Sequence, residues 1–210
     1  SGRLIEEKNI MKYLIIGAGG TGGILGAYMT KAGKDVTLIA RNAHLAAMKE
    51  QGLTVRHLWD GTTETVPVKA ENMETYESMI ASAGEAAKPD VILVCVKGYS
   101  LDNTVPSVQK IAKKSTVVIP ILNIYGTGSR LQKKLPELLV TDGCIYVSAN
   151  IEGPGALVQH GKILRVVFGV REKSEFREEL KEIAKDFSDS GISGELSENI
   201  RRDVLEKFSY

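Results

Sequence analysis

Six small residues in a row, Gly17-Ala18-Gly19-Gly20-Thr21-Gly22, follow the apolar run Tyr13-Leu14-Ile15-Ile16 and precede Ile24, Leu25, Tyr28 and Met29 at helical spacing. A strand that breaks into glycines and then into a helix exposes a helix N-terminus. Its free N–H groups and the positive end of its dipole attract a phosphate. In such a turn the first glycine permits the bend, the second lets the backbone approach a pyrophosphate, and the third lets helix and strand pack closely. Gly17, Gly19 and Gly22 hold those positions, with Ala18, Gly20 and Thr21 between them, so the segment reads as a dinucleotide site.

One helix length further on, Val36-Thr37-Leu38-Ile39-Ala40 reads as a second strand that ends at Arg41. The residue there divides the two nicotinamide cofactors: a carboxylate takes the ribose 2′-hydroxyl of NAD, and an arginine accommodates the 2′-phosphate of NADP. Ala40-Arg41-Asn42 carries no acid. A guanidinium grips a phosphate through two parallel hydrogen bonds, so NADP(H) is expected over NAD(H).

Two further polar residues stand at the carboxyl ends of apolar runs, where open α/β sheets bind their ligands. Lys97 follows Val91-Ile92-Leu93-Val94-Cys95-Val96, and Asn123 ends the strand-like segment from Thr116 to Leu122. On position alone, Lys97 is either a site group or a solvated strand end. Asn123 on the same ground is a site group or a turn and helix-cap residue.

The elements that must carry these residues alternate. After the first strand, helix and second strand come a short helix (Ala43 to Gln51) and a hairpin of Leu53 to Leu58 with Thr62 to Lys69. Helix Thr75 to Ala87, strand Val91 to Val96, helix Leu101 to Ala112, strand Thr116 to Leu122 and helix Ser129 to Leu135 follow. That rhythm predicts an α/β fold, a Rossmann-type doubly wound parallel sheet. Strand-like pieces at Gly143 to Ile151, Ala156 to His160 and Ile163 to Val170 predict an antiparallel extension, and Glu175 to Phe187 an amphipathic helix.

The last segment, Glu198 to Tyr210, has Ile200, Val204, Leu205 and Phe208 at helical spacing and stops without a glycine cap. It reads as a helix cut short with an uncovered apolar face. The expected organisation is a nucleotide-binding domain over 11–194 and the first helix of a following, truncated helical domain over 195–210. Ser1 to Ile10 is polar, reads as a leader, and is left out of the fold.

With 27 basic and 26 acidic residues the net charge is +1, which gives no field for nucleic acid or an anionic membrane. No apolar run reaches the roughly 18 residues of a membrane helix. Cys95 and Cys144 lie in apolar runs without metal or redox spacing, which suits a reducing, cytoplasmic setting. His44, His57 and His160 read as structural or solvated residues, and no metal is expected. Nothing resembling a nucleophile elbow surrounds Ser148.

Taken in order, the GAGGTGG turn, Arg41, VILVCVKGY with its lysine, the strand ending in Asn123, Glu152-Gly153-Pro154-Gly155 and Val204-Leu205-Glu206-Lys207-Phe208 resemble the ketopantoate reductases (2-dehydropantoate 2-reductases). The likeness runs from Met11 to Tyr210. It implies an N-terminal Rossmann-type domain, a helical C-terminal domain, and an active site in the cleft between them. It further implies that Lys207 is the catalytic lysine, that Lys97 lies near nicotinamide and substrate, and that Asn123 positions both. One departure stands out: the family usually follows that asparagine with glycine, whereas Ile124-Tyr125-Gly126 follow it here.

The resemblance therefore implies an NADPH-dependent 2-oxoacid reductase, acting on ketopantoate to give pantoate for coenzyme A synthesis, with the small-molecule oxoacid as partner. The uncovered helix face adds the expectation of association, as a homodimer. A related NAD(P)-dependent hydroxyacid dehydrogenase and a non-catalytic dinucleotide-sensing domain are the competing readings.

Overall fold

The computed structural model describes residues 10–97, 100–122 and 126–208. Strand β1 (Lys12–Ile16) sends Tyr13 and Ile15 into one core layer and Leu14 and Ile16 into another, the two-residue alternation of a strand covered on both faces. It pairs in parallel with β2 (Asp35–Ile39) on one side and β6 (Val91–Val94) on the other. β5 (Lys69–Glu71) extends the sheet beyond β2, while β7 (Val117–Pro120) and β8 (Leu139–Val140) extend it beyond β6. The order β5-β2-β1-β6-β7-β8 is that of a doubly wound sheet, with its switch point at the end of β1.

Helix α1 (Gly22–Lys31) covers one face, burying Ile24, Leu25 and Met29 completely. α6 (Glu179–Asp189) joins that layer through Leu180, Ile183 and Phe187, and Phe187 meets Phe168 edge to face at 5.9 Å. Full burial of a phenylalanine stabilises by about 2 kcal/mol over exposure, so this pair is a main anchor of the layer. The opposite face is covered by α3 (Met73–Ala83), α4 (Leu101–Ile111) and α5 (Thr127–Lys134), which supply Tyr76, Ile80, Leu101, Val108 and Leu131.

Three expectations need correction. The run from Thr62 to Lys69 is two strands, because Pro67 has no N–H to continue a ladder. β4 (Thr63–Val66) pairs antiparallel with β3 (Leu53–His57), and the chain then crosses to the main sheet as β5. The helix expected to reach Ala87 stops at Ala83, where Gly84 turns the chain at φ +89° into a short 3₁₀ turn.

The antiparallel strands form two further sheets instead of lengthening the parallel one. At Thr141 the chain still donates its N–H to the Val118 carbonyl, at 3.0 Å, and then leaves the main sheet. β9 (Asp142–Tyr146) pairs antiparallel with β12 (Arg165–Gly169), which pairs in parallel with β13 (Ser193–Leu196). β10 (Ala149–Gly153) and β11 (Ala156–Gln159) make a hairpin that docks in parallel on β3.

α7 (Ile200–Phe208) lies on the third sheet. Ile200 and Val204 are buried against Cys144 and Val167, so half of the stripe expected to be uncovered is closed by the chain's own strands. Leu205 stays exposed, and the Phe208 side chain lies outside the described residues. None of the described helices is long and apolar enough to cross a membrane.

Candidate functional site

Register brings the polar strand ends together. Ile39 stands opposite Ile16, Ile16 opposite Val94, and Val94 opposite Pro120, so four strands end at one level. At the usual strand spacing this row is about 14 Å wide. The glycine turn follows Ile16 directly, Arg41 comes two residues after Ile39, and Lys97 three after Val94. Lys97 is exposed, and its carbonyl accepts from the Ser100 N–H at 2.8 Å. Asn123 falls three residues after Pro120, and it lies outside the described residues together with Ile124 and Tyr125.

The turn is built for close approach. Gly17 sits at φ +104°, and a Cβ there would come within 2.9 Å of the Cys95 carbonyl oxygen. A Cβ on Gly22 would stand 1.8 Å from the Gly17 carbonyl oxygen, so any side chain would force helix and turn apart. Gly19 differs: only a methyl of Ile151, at 3.9 Å, comes near its Cβ position. That open side leaves room for a ligand to approach the backbone. α1 has no acidic residue in its first turn, and its Thr21 N-cap makes no side-chain cap. The helix end thus keeps its positive potential for an anion. Among the described residues, no group of three or more His, Cys, Asp or Glu could hold a metal ion.

Arg41 is the N-cap residue of α2 (Asn42–Gln51), extended and exposed, and Asn42 follows in the left-handed region at φ +57°. No acid follows β2 directly in sequence. The structure adds one a strand away: Glu71 stands opposite Ile39, and its carbonyl takes the Ala40 N–H at 3.0 Å. Its carboxylate is 2.9 Å from the Lys49 ammonium, an ion pair without the angles of a hydrogen bond. Glu71 could be found only once β5 was known to join the main sheet.

Lys207 comes from α7 and reaches β9. Its ammonium donates to the Ile145 carbonyl and lies 4.9 Å from the centre of the Tyr146 ring. The Arg165 guanidinium is 5.1 Å from the same ring, so two cations share one aromatic residue. Burial pulls the Lys207 pKa below the ordinary lysine value. Four residues past Ile145, the Ala149 carbonyl oxygen packs 2.3 Å from where a Gly20 Cβ would stand. Lys207's anchor is therefore no more than about 14 Å of extended chain from the back of the glycine turn. Tyr146 carried no signal in the sequence, because its value comes from pairing across β12 and from α7.

Of the two readings open for His44, structural or solvated, the structure supports the first: the ring is an internal bridge. Nε2 lies 2.7 Å from the Ala18 carbonyl oxygen, and the Gly155 N–H donates to Nδ1 at 2.9 Å. Both partners are backbone atoms distant in sequence, which no local pattern announces. The other two histidines are occupied locally: His57 faces Glu64 at 3.4 Å and meets the Trp59 ring at a tilt, 4.7 Å between centres, and His160 contacts Asn150 at 2.6 Å. Burial behind the turn pushes the Cys95 thiol up to about 12, which leaves it inert as a nucleophile.

Residues 13–173 match the family model described as ketopantoate reductase PanE/ApbA. The chain is 30% identical over 198 residues to the 2-dehydropantoate 2-reductase of Pyrococcus horikoshii, covering 90% of this chain and 57% of that protein. To the uncharacterized oxidoreductase YkpB of Bacillus subtilis it is 27% identical over 202 residues, covering 95% and 62%. The chain thus spans about three fifths of the length of these relatives. Among solved structures, a D-mandelate dehydrogenase with NADH and anilino(oxo)acetate superposes with a TM-score of 0.78 at 26% identity, covering 94% of this chain and 60% of that one.

Proposed function

The chain belongs to the PanE/ApbA ketopantoate reductase family, and from that premise we propose that it is the nucleotide-binding part of an NADPH-dependent 2-oxoacid reductase whose substrate is ketopantoate. The observation that carries the reading is the half-buried Lys207 ammonium, held on β9 close to the strand that backs the glycine turn. A nucleotide sensor has no use for such a group.

In this reading the N–H groups of the glycine turn and the α1 N-terminus hold the pyrophosphate. Arg41 takes the 2′-phosphate from the end of β2. Lys97 and Asn123 line the nicotinamide side. When bound, a nicotinamide would supply the hydride for reduction of a carbonyl carbon. Lys207 gives a proton from Nζ to the carbonyl oxygen as negative charge collects there, and the resulting amine regains a proton from solvent. The ketone thereby gains one hydride and one proton and leaves as a hydroxy acid. The expected boundary after residue 194 would cut β13, whose Glu195 and Leu196 still pair with β12, so in this reading the cofactor domain runs through Leu196 and α7 begins the helical part that closes the substrate side.

Reduction assays on the full-length protein with a panel of 2-oxoacids test this reading. Oxidation of NADPH in the presence of ketopantoate is expected. Binding of NADPH without turnover of any oxoacid would favour a sensor. A second reading, an NADH-linked hydroxyacid dehydrogenase, is favoured by the likeness to the NADH-bound D-mandelate dehydrogenase and by Glu71 beside Ile39. Faster turnover with NADH than with NADPH would select it.

A further inference from the structure

His44 joins three segments that meet nowhere else in sequence. It sits in the first turn of α2, three residues after Arg41. One ring nitrogen reaches the Ala18 carbonyl inside the glycine turn, 26 residues back, and the other the Gly155 N–H at the tip of the β10–β11 hairpin, 111 residues on. A backbone N–H can only donate, so Nδ1 is the acceptor. Nε2 therefore carries the ring hydrogen and donates it to Ala18.

The hairpin tip is held in place independently of that bond. Gly155 lies at φ +70°, and a Cβ there would come within 2.8 Å of the Ala47 Cβ, so the tip rests against α2 itself. At the hairpin's other end, Ala149 packs on Gly20. The glycine turn is thus backed by one hairpin, and His44 pins both to the helix whose N-cap is Arg41.

The described residues contain no cis peptide, so the Ala18–Gly19 unit is trans, with its C=O and N–H pointing in opposite directions. Fixing the Ala18 oxygen on His44 fixes the Gly19 N–H on the opposite side of the turn. We propose that His44 is a positioning residue for the cofactor: it holds the Ala18–Gly19 peptide so that the Gly19 N–H meets the pyrophosphate. The inference rests on the reading of this turn as a dinucleotide site.

The test uses full-length protein with His44→Phe, which keeps a ring and removes both bonds, and His44→Gln, which keeps one donor and one acceptor. NADPH and 2′-AMP are the probes, the second carrying a 2′-phosphate and no pyrophosphate. With His44→Phe the Kd and KM for NADPH should rise about tenfold or more, kcat should be unchanged, and the Kd for 2′-AMP should move less than about threefold. His44→Gln should restore most of the NADPH affinity. An unchanged NADPH affinity in folded His44→Phe overturns the proposal, and so does equal loss for both probes, which would mean a general loosening of α2. If His44→Phe fails to fold, His44→Leu, which also removes both bonds, takes its place, with the same selective loss of NADPH affinity expected and the same two outcomes overturning the proposal. If the wild-type protein binds no dinucleotide, the reading of the turn itself falls and takes the proposal with it.

Discussion

Lys207 Nζ lies 4.9 Å from the centre of the Tyr146 ring while donating to the carbonyl of the preceding residue, Ile145. A lysine held by one backbone acceptor and one aromatic face has a defined position, and partial burial weakens its hold on the proton. Both properties suit a proton donor. Replacing Lys207 with alanine in the full-length protein should lower kcat for oxoacid reduction by about 10²- to 10⁴-fold, with the Kd for NADPH unchanged. Steady-state kinetics beside a fluorescence titration separate the two effects.

The direction of the Lys207 shift sets a pH profile. With Lys207 as the proposed proton donor, reduction would need the ammonium, so the rate should fall as pH rises through the folded-state pKa, which burial places below the ordinary lysine value of about 10.4. The linked stability has the opposite sign. Burying the charge costs the folded state, and that cost is relieved as pH rises through the same value, up to the unfolded pKa. An alkaline limb in kcat that vanishes in Lys207→Ala is the expected result.

Arg41 should matter to one cofactor and not the other. It is exposed at the end of β2, and in the proposed function it takes the 2′-phosphate. Arg41→Ala is expected to weaken NADPH binding by about tenfold or more and to leave NADH within about twofold. Equal losses would mean that Arg41 acts only through α2.

The glycine turn tolerates no side chain at Gly22, whose Cβ would overlap the Gly17 carbonyl. Gly22→Ala should destabilise the fold by about 1–3 kcal/mol and abolish measurable dinucleotide binding. Gly33→Ala is the contrast: it has open space at its Cβ and strain only from φ +84°, so it should lower the melting temperature and keep binding.

Tyr13 carries an alkaline signature of the core. Its hydroxyl donates to Asp186 at 2.6 Å, and burial together with that carboxylate raises its pKa far above the ordinary phenol value. A raised folded-state pKa contributes stability that is complete below the unfolded value, about 10, and is lost as pH climbs above it. Tyr13→Phe should cost about 1 kcal/mol at neutral pH and remove part of the destabilisation above about pH 10, as followed by urea unfolding.

The strand-turn-helix at Gly17 to Gly22 was legible because its cause is local: apolar alternation, then glycines, then a helical stripe. Continuous apolar strands likewise announced the parallel sheet. What remained hidden depends on contacts between distant segments. Pro67 signals a strand break, but nothing nearby says that Lys69–Glu71 crosses to β2 and brings Glu71 beside Ile39. His44 looks like any polar residue at a helix start until Ala18 and Gly155 close on it. Lys207 was picked out by likeness to a family alone, since a lysine on an amphipathic helix otherwise reads as solvated.

Proton donation by Lys207 to a ketone that receives hydride from NADPH can be followed by isotope transfer. The full-length protein would be given ketopantoate and NADPH deuterated at the transferring position of nicotinamide C4, and the product examined by mass spectrometry. Pantoate carrying one deuterium at the former carbonyl carbon is expected, formed by the wild type and nearly lost in Lys207→Ala. Bound NADPH with no labelled hydroxy acid from ketopantoate would contradict the proposed reduction.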